Sequence, residues 1–269
     1  IALDTLNLLA LLGVVFIGLP HGAMDGALAV HFGWMGRPTR AVAFLLAYVG
    51  LAGLVVLSWA IAPVLSFIVF LAISTFHFGR GDATSSVVGR GAVESIARGG
   101  VVIGGISQFH RTEANDVFLT IVGADTTGVW LFLDVLVVFA VACIVETLLF
   151  KQQHERTAFG LEIGALSLLF MAVPPLVGFA VYFCFVHSFR HFSSMRSVLQ
   201  STVSSLRITQ TTVVFSLLTW AFGLVVLAQQ SASIGVEPAL LKVVFIGLAA
   251  LTVPHMLLVD GVLNQRRSQ

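Results

Sequence analysis

The chain has 269 residues, of which 58% are hydrophobic and 10% are charged, and its mean hydropathy is +1.01. Soluble domains average about 45–50% apolar and about 25% charged residues, so this composition excludes an ordinary water-soluble protein. The formal net charge is +1, and no basic patch of the kind that nucleic-acid binding requires is present. Cys143 and Cys184 both lie in apolar stretches, which predicts buried thiols rather than a disulfide framework.

Nine apolar segments have about the 17–25 residues that a helix needs to cross a bilayer. They cover residues 3–19, 41–62, 63–78, 92–109, 129–150, 158–173, 175–192, 211–228 and 239–263. The first contains Asp4 and Asn7 and has no basic region or cleavage site, so no signal peptide is predicted. The fourth is the weakest, because it carries Glu94 and Arg98 and is rich in glycine. The predicted fold is therefore all-α: one polytopic membrane helix bundle over residues 1–269, with eight to nine transmembrane helices.

The basic residues orient this bundle. With nine helices, eleven lysines and arginines fall on one side of the membrane, and only Arg111 and Lys242 fall on the other. Because cytoplasmic loops carry the excess of basic residues, we expect the N-terminus outside and the C-terminus in the cytoplasm. Dropping or adding one helix in the middle of the chain would destroy this asymmetry, so the charges support the count of nine.

The eight histidines fall into two groups. His110 and His154 occur in polar stretches and His31 in the first loop, where surface roles are expected. The other five lie inside apolar segments or at their ends, toward the cytoplasmic side: His21, His77, His187, His191 and His255. Ionisable groups in a membrane are costly and usually mark a functional site. The alternative for each one is a hydrogen-bonded packing residue between helices.

The spacing of these residues favours a metal site. His187 and His191 are four residues apart, which places both on one helical face as a two-ligand clamp, and imidazole suits iron, copper, zinc or nickel. Acids follow the other histidines: Asp25 after His21, Asp82 after His77 and Asp260 after His255. Metal-bound histidines usually donate their second ring N–H to a carboxylate or a carbonyl. The spacing predicts that Asp25 pairs with His21, and Pro20 and Pro254 are expected to loosen the helix and free backbone carbonyls. Asp82 and Asp260 fit equally well as charges at helix ends.

Several membrane protein classes lack their motifs here. No HExxH of a zinc protease is present, no HxxHH accompanies the histidine pair as in di-iron desaturases, and no lysine lies in the middle of the last segment as in a retinal-binding opsin. A metal or proton-coupled transporter that uses histidines, and a protein that binds haem through two histidines, both remain open on the residues alone.

Four sequence blocks carry a family resemblance. GLPHGAMD (residues 18–25), STFHFGRGD (74–82), FVHSFRH (185–191) and PHMLLVD (254–260) resemble the signature segments of the Brp/Blh family of membrane β-carotene 15,15′-dioxygenases. The resemblance implies a non-haem Fe(2+) enzyme of a bacterial or archaeal cell membrane, which uses O2 to cleave β-carotene into two molecules of all-trans-retinal. It also implies a functional link to rhodopsins, which bind retinal.

The resemblance further implies that His21, His77, His187 and His191 are the catalytic iron ligands. His255 is then a candidate ligand or a partner of a ligand, as are Asp25, Asp82 and Asp260. Aromatic side chains near these residues could line a tunnel for the polyene: Trp34, Phe76, Phe78, Tyr182, Phe185 and Phe189. Packing against lipid or a neighbouring helix is the alternative role for each of these aromatic residues.

Overall fold

The computed structural model describes residues 3–83 and 90–267, and it describes side chains there except at 82 and 260–267. The described residues form helices and no strand. The α-helices are α1 Thr5–Gly13, α2 Asp25–His31, α3 Pro38–Ile61, α4 Pro63–Asp82, α5 Arg90–Gln108, α6 Arg111–Val122, α7 Thr127–Phe150, α8 Gln153–Ala172, α9 Pro175–Val181, α10 Ser188–Leu199, α11 Ser205–Ile234 and α12 Val236–Arg267. Two π segments, Val14–Gly18 and Tyr182–His187, and two 3-10 segments, Leu19–Met24 and Trp34–Gly36, interrupt them.

Six helical stretches in the described part of the chain are long and apolar enough to cross a membrane. They are Thr5–His31, Pro38–Ile61, Pro63–Gly81, Thr127–Phe150, Ser205–Ile234 and Val236–Val259. The three remaining predicted spans coincide with α5, with α8 and with the run from α9 to α10, all of which are helical but fall outside this group. Charged side chains account for two of them, since α5 carries Glu94 and Arg98 and α8 carries Glu155, Arg156 and Glu162.

The polar stretches are more helical than the sequence predicts. The stretch after His110 forms α6, a helix of 12 residues. His154 lies in the first turn of α8 rather than in a loop, and His31 is the last residue of α2. Both α6 and α8 carry a glutamate in their first turn, where a negative charge interacts favourably with the helix dipole.

The helices divide into two compact units, each built from two stretches of the chain. Unit 1 contains Ile1–Leu11 and Pro63–His187, and unit 2 contains Leu12–Ala62 and Ser188–Gln269. The expectation of one domain over residues 1–269 stays a prediction.

Glycine allows a close approach of two helices inside unit 1. A Cβ at Gly79 of α4 would overlap the Ser95 carbonyl of α5, and a Cβ at Gly99 of α5 would overlap the Thr75 carbonyl of α4. The two backbones therefore touch along this seam, as small residues permit in membrane helices. The glycine-rich α5 therefore packs closely against its neighbour α4.

A buried ion cluster joins α5 to the region around α8 in the same unit. Arg98 Nε donates to Glu94 Oε1 over 2.9 Å and its Nη1 donates to Glu162 Oε2 over 2.6 Å. Lys151 Nζ lies 3.1 Å from Glu94 Oε2. Two basic and two acidic side chains thus compensate one another, which explains how α5 keeps its charges buried.

In unit 2, α2, α10 and α12 surround a shared apolar core. Its buried members are Met24, Ala27, Leu28, Met195, Val198, Leu199, Val203, Ile208, Leu258 and Val259. Phe44 and Tyr48 of α3 pack against this core, whereas the other faces of α3 and α11 expose large apolar side chains such as Leu46, at 69%, and Phe222, at 72%. Such faces are compatible with lipid and not with water.

Candidate metal centre

Three histidines converge inside unit 2. His21 comes from the 3-10 segment Leu19–Met24, His191 from α10 and His255 from α12. One ring nitrogen of each lies within 4.8 Å of those of the other two. His21 and His255 are only 8% and 4% exposed, and His191 is partly exposed. Three helical elements that are far apart in sequence thus present imidazoles to one point.

The backbone around His21 departs from a regular helix. A π segment, Val14–Gly18, is followed directly by the 3-10 segment that contains Pro20 in its first turn. The Gly18 carbonyl accepts a hydrogen bond from His21 Nδ1, and Ser188 Oγ lies 2.9 Å from the same nitrogen. Because a carbonyl only accepts, Nδ1 carries the proton and Nε2 is the nitrogen left for a metal. The helix is irregular around Pro20, as predicted, whereas α12 continues as an α-helix through Pro254.

Asp25 supports His255 rather than His21. Its Oδ1 accepts a hydrogen bond from His255 Nδ1 over 2.8 Å, and its Oδ2 accepts one from Tyr48 over 2.8 Å. The predicted pairing with His21 assumed a regular helix between the two residues, whereas residues 19–24 form a 3-10 segment with about three residues per turn. The prediction of the partner is therefore wrong, although Asp25 does hold a histidine of the same group.

The donor set fits a transition metal. Nitrogens bound at about 2.0–2.1 Å to one ion are about 3–4 Å apart, and the three ring nitrogens here lie within 4.8 Å of one another, so a bound ion would draw them closer. In both His21 and His255 an acceptor fixes the proton on Nδ1 and leaves Nε2 for the ion, as in most histidine metal sites. The Asp25 carboxylate, which is 0% exposed, adds a negative charge one hydrogen bond from the group. The site can therefore hold a divalent cation of the iron, copper, zinc or nickel type.

His77 and His187 lie in unit 1 and contact each other there. Their ring centroids are 5.0 Å apart, and Phe78 lies 4.7 Å from the His187 ring. Phe183 stacks on His187 with an interplanar angle of 12°. His187 ends the second π segment, and it is 2% exposed. Of the four histidines predicted as ligands, the structure thus places two in each unit.

The candidate aromatic residues divide by exposure. Phe78 and Tyr182 are buried beside His187, which agrees with an interior lining. Phe185 and Phe189 are 65% and 71% exposed, so they lie on the outer surface and do not line an interior tunnel. The remaining two are partly buried: Trp34 stacks on Phe32 in unit 2, and Phe76 lies against the Arg80 guanidinium in unit 1.

Two predicted acids, Asp82 and Asp260, have side chains that lie outside the described residues. Three groups that support the histidines were not predicted from the sequence. Tyr48, Ser188 and the Gly18 carbonyl all contact the histidine group or its acid. A tyrosine in an otherwise apolar segment was the only signal in the sequence that pointed to Tyr48.

Comparison with known proteins shows the same family along nearly the whole chain. A family model described as beta-carotene 15,15′-dioxygenase matches residues 12–262. The chain is 36% identical over 266 residues to beta-carotene 15,15′-dioxygenase of uncultured marine bacterium 66A03, with 97% of this chain and 95% of that protein covered. It is 30% identical over 219 residues to the probable beta-carotene 15,15′-dioxygenase Blh of Halobacterium salinarum, with 72% and 63% covered. No solved structure matches the chain.

Proposed function

The chain belongs to the β-carotene 15,15′-dioxygenase family, and we propose that it is a membrane enzyme that uses O2 to cleave the central double bond of β-carotene into two molecules of all-trans-retinal. The observation that carries this proposal is the histidine group of unit 2, whose nitrogens lie within 4.8 Å of one another in a chain of this family. O2 reacts slowly with a closed-shell polyene, so a redox-active metal is the group that the reaction requires.

We propose Fe(2+) as that metal, held by His21, His191 and His255. Bound iron would supply the electron-transfer chemistry with O2 that none of these side chains provides. The protein holds the proton on Nδ1 of two imidazoles through Gly18 and Asp25, which orients their other nitrogen toward one point. Asp25 also lowers the net positive charge of a loaded site. The assignment of His77 and His187 as iron ligands rests on the family resemblance and stays a prediction.

The substrate follows from the surroundings of the site. β-Carotene is a long hydrocarbon that dissolves in the bilayer interior. Helices with apolar outer faces, such as α3 and α11, indicate that the protein lies in the bilayer as well. Substrate can then arrive from lipid without crossing water. The product retinal is the ligand of rhodopsins, which makes a retinal-binding membrane protein the expected consumer.

The orientation in the membrane is part of the proposal. Nine spans, an external N-terminus and a cytoplasmic C-terminus account for the distribution of basic residues, in the cell membrane of a microbe. Reporter fusions at each end of the chain test it. A C-terminal reporter that is active only outside the cytoplasm would contradict the proposed orientation.

The experiment that tests the function is a single-turnover assay on protein purified without oxygen. The protein is loaded with Fe(2+), mixed with β-carotene in detergent micelles and exposed to air, and the products are separated by chromatography. We expect retinal as the major product, with two molecules formed for each β-carotene consumed. Longer and shorter apocarotenals as the main products would contradict central cleavage. The H154A variant serves as a control, because His154 is exposed in the first turn of α8.

A further inference from the structure

Tyr48 makes a polar contact from α3 with the surroundings of the histidine group. Its hydroxyl donates a hydrogen bond to Asp25 Oδ2 over 2.8 Å. The residues before and after it on α3, such as Leu46 and Val49, are 69% and 65% exposed, whereas Tyr48 itself is half-buried and packs with Phe44 against the core of unit 2. The ring is therefore directed inward from a helix that otherwise faces its surroundings.

Asp25 is held from two sides. Tyr48 donates to one carboxylate oxygen and His255 Nδ1 donates to the other, each over 2.8 Å. Because the carboxylate only accepts when ionised, both partners must donate, and rotation of the carboxylate would break at least one of the two bonds. Asp25 is 0% exposed, so water does not replace a lost partner. Tyr48 thereby fixes the orientation of the carboxylate that orients His255.

The geometry points to Tyr48 as a positioning residue of the metal site, which acts through Asp25 to aim the Nε2 atom of His255 at the ion shared with His21 and His191. This inference rests on the proposed function, because it concerns the same divalent cation. It adds a residue that has no contact with the ion and that comes from a helix without histidines. The hydroxyl stabilises the loaded site by keeping one of its ligands from rotating away.

The competing role is a plain structural bond between α3 and α2. The two roles differ in what they change: a structural bond changes the stability of the metal-free protein, whereas a positioning residue changes the rate at which metal leaves. A double-mutant cycle also tests whether Tyr48 acts through Asp25. If Tyr48 acts through Asp25, the effects of Y48F and D25N on metal loss are smaller together than their sum.

The test measures metal loss from Y48F, D25N, the double variant and the wild type. Each protein is loaded with Fe(2+) without oxygen and mixed with excess chelator, and loss is followed by the colour of the chelate. We expect Y48F to lose iron about 10–100-fold faster, as is typical when an outer partner of a ligand is removed. The matched control is S58A, which removes a hydroxyl from the same helix that donates to the Val55 carbonyl; it should lose iron at the wild-type rate.

A second measurement keeps the inference open to contradiction if Y48F fails to accumulate. The chain has two tyrosines, so fluorotyrosine labelling of the Y182F variant leaves Tyr48 as the reporter. Fluorine NMR should show its signal shift when diamagnetic Zn(2+) fills the site. Two results would overturn the role of Tyr48 and leave the proposed function intact. One is a fluorine signal that does not change when Zn(2+) is added, and the other is Y48F losing iron at the wild-type rate while the wild type makes retinal. A wild type that binds iron but makes no retinal overturns the proposed function, and faster iron loss from Y48F would still support the positioning role.

Discussion

The Nδ1 atom of His255 donates a hydrogen bond to Asp25 Oδ1 over 2.8 Å, which joins two residues 230 positions apart. Asp25 follows directly after the 3-10 segment that holds His21. A single carboxylate thus ties the histidine of the last helix to the element that carries the first. Since the acid is fully buried, its loss or neutralisation should be felt at the metal.

Replacement of Asp25 by asparagine tests this link. The asparagine side chain has nearly the same shape and its oxygen still accepts one hydrogen bond, but the negative charge is lost and one of the two partners loses its acceptor. We expect the protein to fold and its iron affinity or turnover to fall by about 10–100-fold. Iron content after dialysis and the rate of retinal formation measure this. Values equal to the wild type would show that Asp25 serves only packing.

Alanine substitutions sort the histidines. H21A and H191A should lose iron and activity, because each removes one of three nitrogens at the same point. H77A and H187A should do the same if the family resemblance assigns them correctly. H255A should deplete iron as well, because His255 is the third nitrogen donor of the proposed site. Fully active H21A or H191A would contradict the site, and H154A should behave as the wild type.

The glycine seam between α4 and α5 sets a stability prediction. G79A and G99A place a methyl group where the backbone carbonyls of Ser95 and Thr75 lie, so the helices must separate. We expect each to lower the free energy of unfolding by at least about 1–3 kcal/mol, which is typical of overpacking. Thermal unfolding in detergent measures it.

Gly50 and Gly53 of α3 provide the control for that seam. A Cβ at either position meets nothing within 4 Å, so alanine there should leave stability unchanged or raise it by about 0.5–1 kcal/mol through helix propensity. Equal unfolding temperatures of G79A and G50A would contradict the close backbone contact between α4 and α5.

The ion cluster around Arg98 should be more sensitive than an exposed pair. R98M leaves Glu94 and Glu162 without their guanidinium partner, and removal of one member of a buried pair costs about 3–5 kcal/mol. D134N breaks the pair with Arg111, whose side chains are 48% and 49% exposed, and such pairs contribute about 0–1 kcal/mol. Thermal unfolding of both variants compares them. Equal losses would show that the Arg98 cluster is not buried.

The site could be predicted from the sequence only where the residue type itself carries the signal. A histidine or an aspartate in an apolar segment stands out because burial of such groups is costly, so His21, His191, His255 and Asp25 were all candidates. Tyr48 was not, because an aromatic ring in a membrane helix usually packs. The partner of Asp25 was wrong for a local reason, since the 3-10 segment before it changes the angle between neighbouring side chains.

The sequence was sufficient to predict an all-helical membrane protein, but it was less informative about the number of membrane spans. Apolar composition and charge distribution predict helices and their order, and six of the nine segments have the length and composition of a span. The number of spans cannot be counted from apolar segments alone, because α5 is buried although it carries charged residues, which the Arg98 cluster compensates. That compensation comes from Glu162 and Lys151, which are distant in sequence, and no local pattern indicates it.

The most direct test of the account is retinal formation as a function of bound iron. Metal-free protein is titrated with Fe(2+) without oxygen, and retinal is measured after β-carotene and air are added to each sample. We expect no retinal without iron, a linear rise with bound iron, and saturation at about one iron per chain, as one group of histidine donors predicts. Substitution of Zn(2+), which has no redox chemistry, should give no retinal. Full retinal formation by metal-free protein, or by the zinc form, would contradict the assignment of the histidine group as an iron centre.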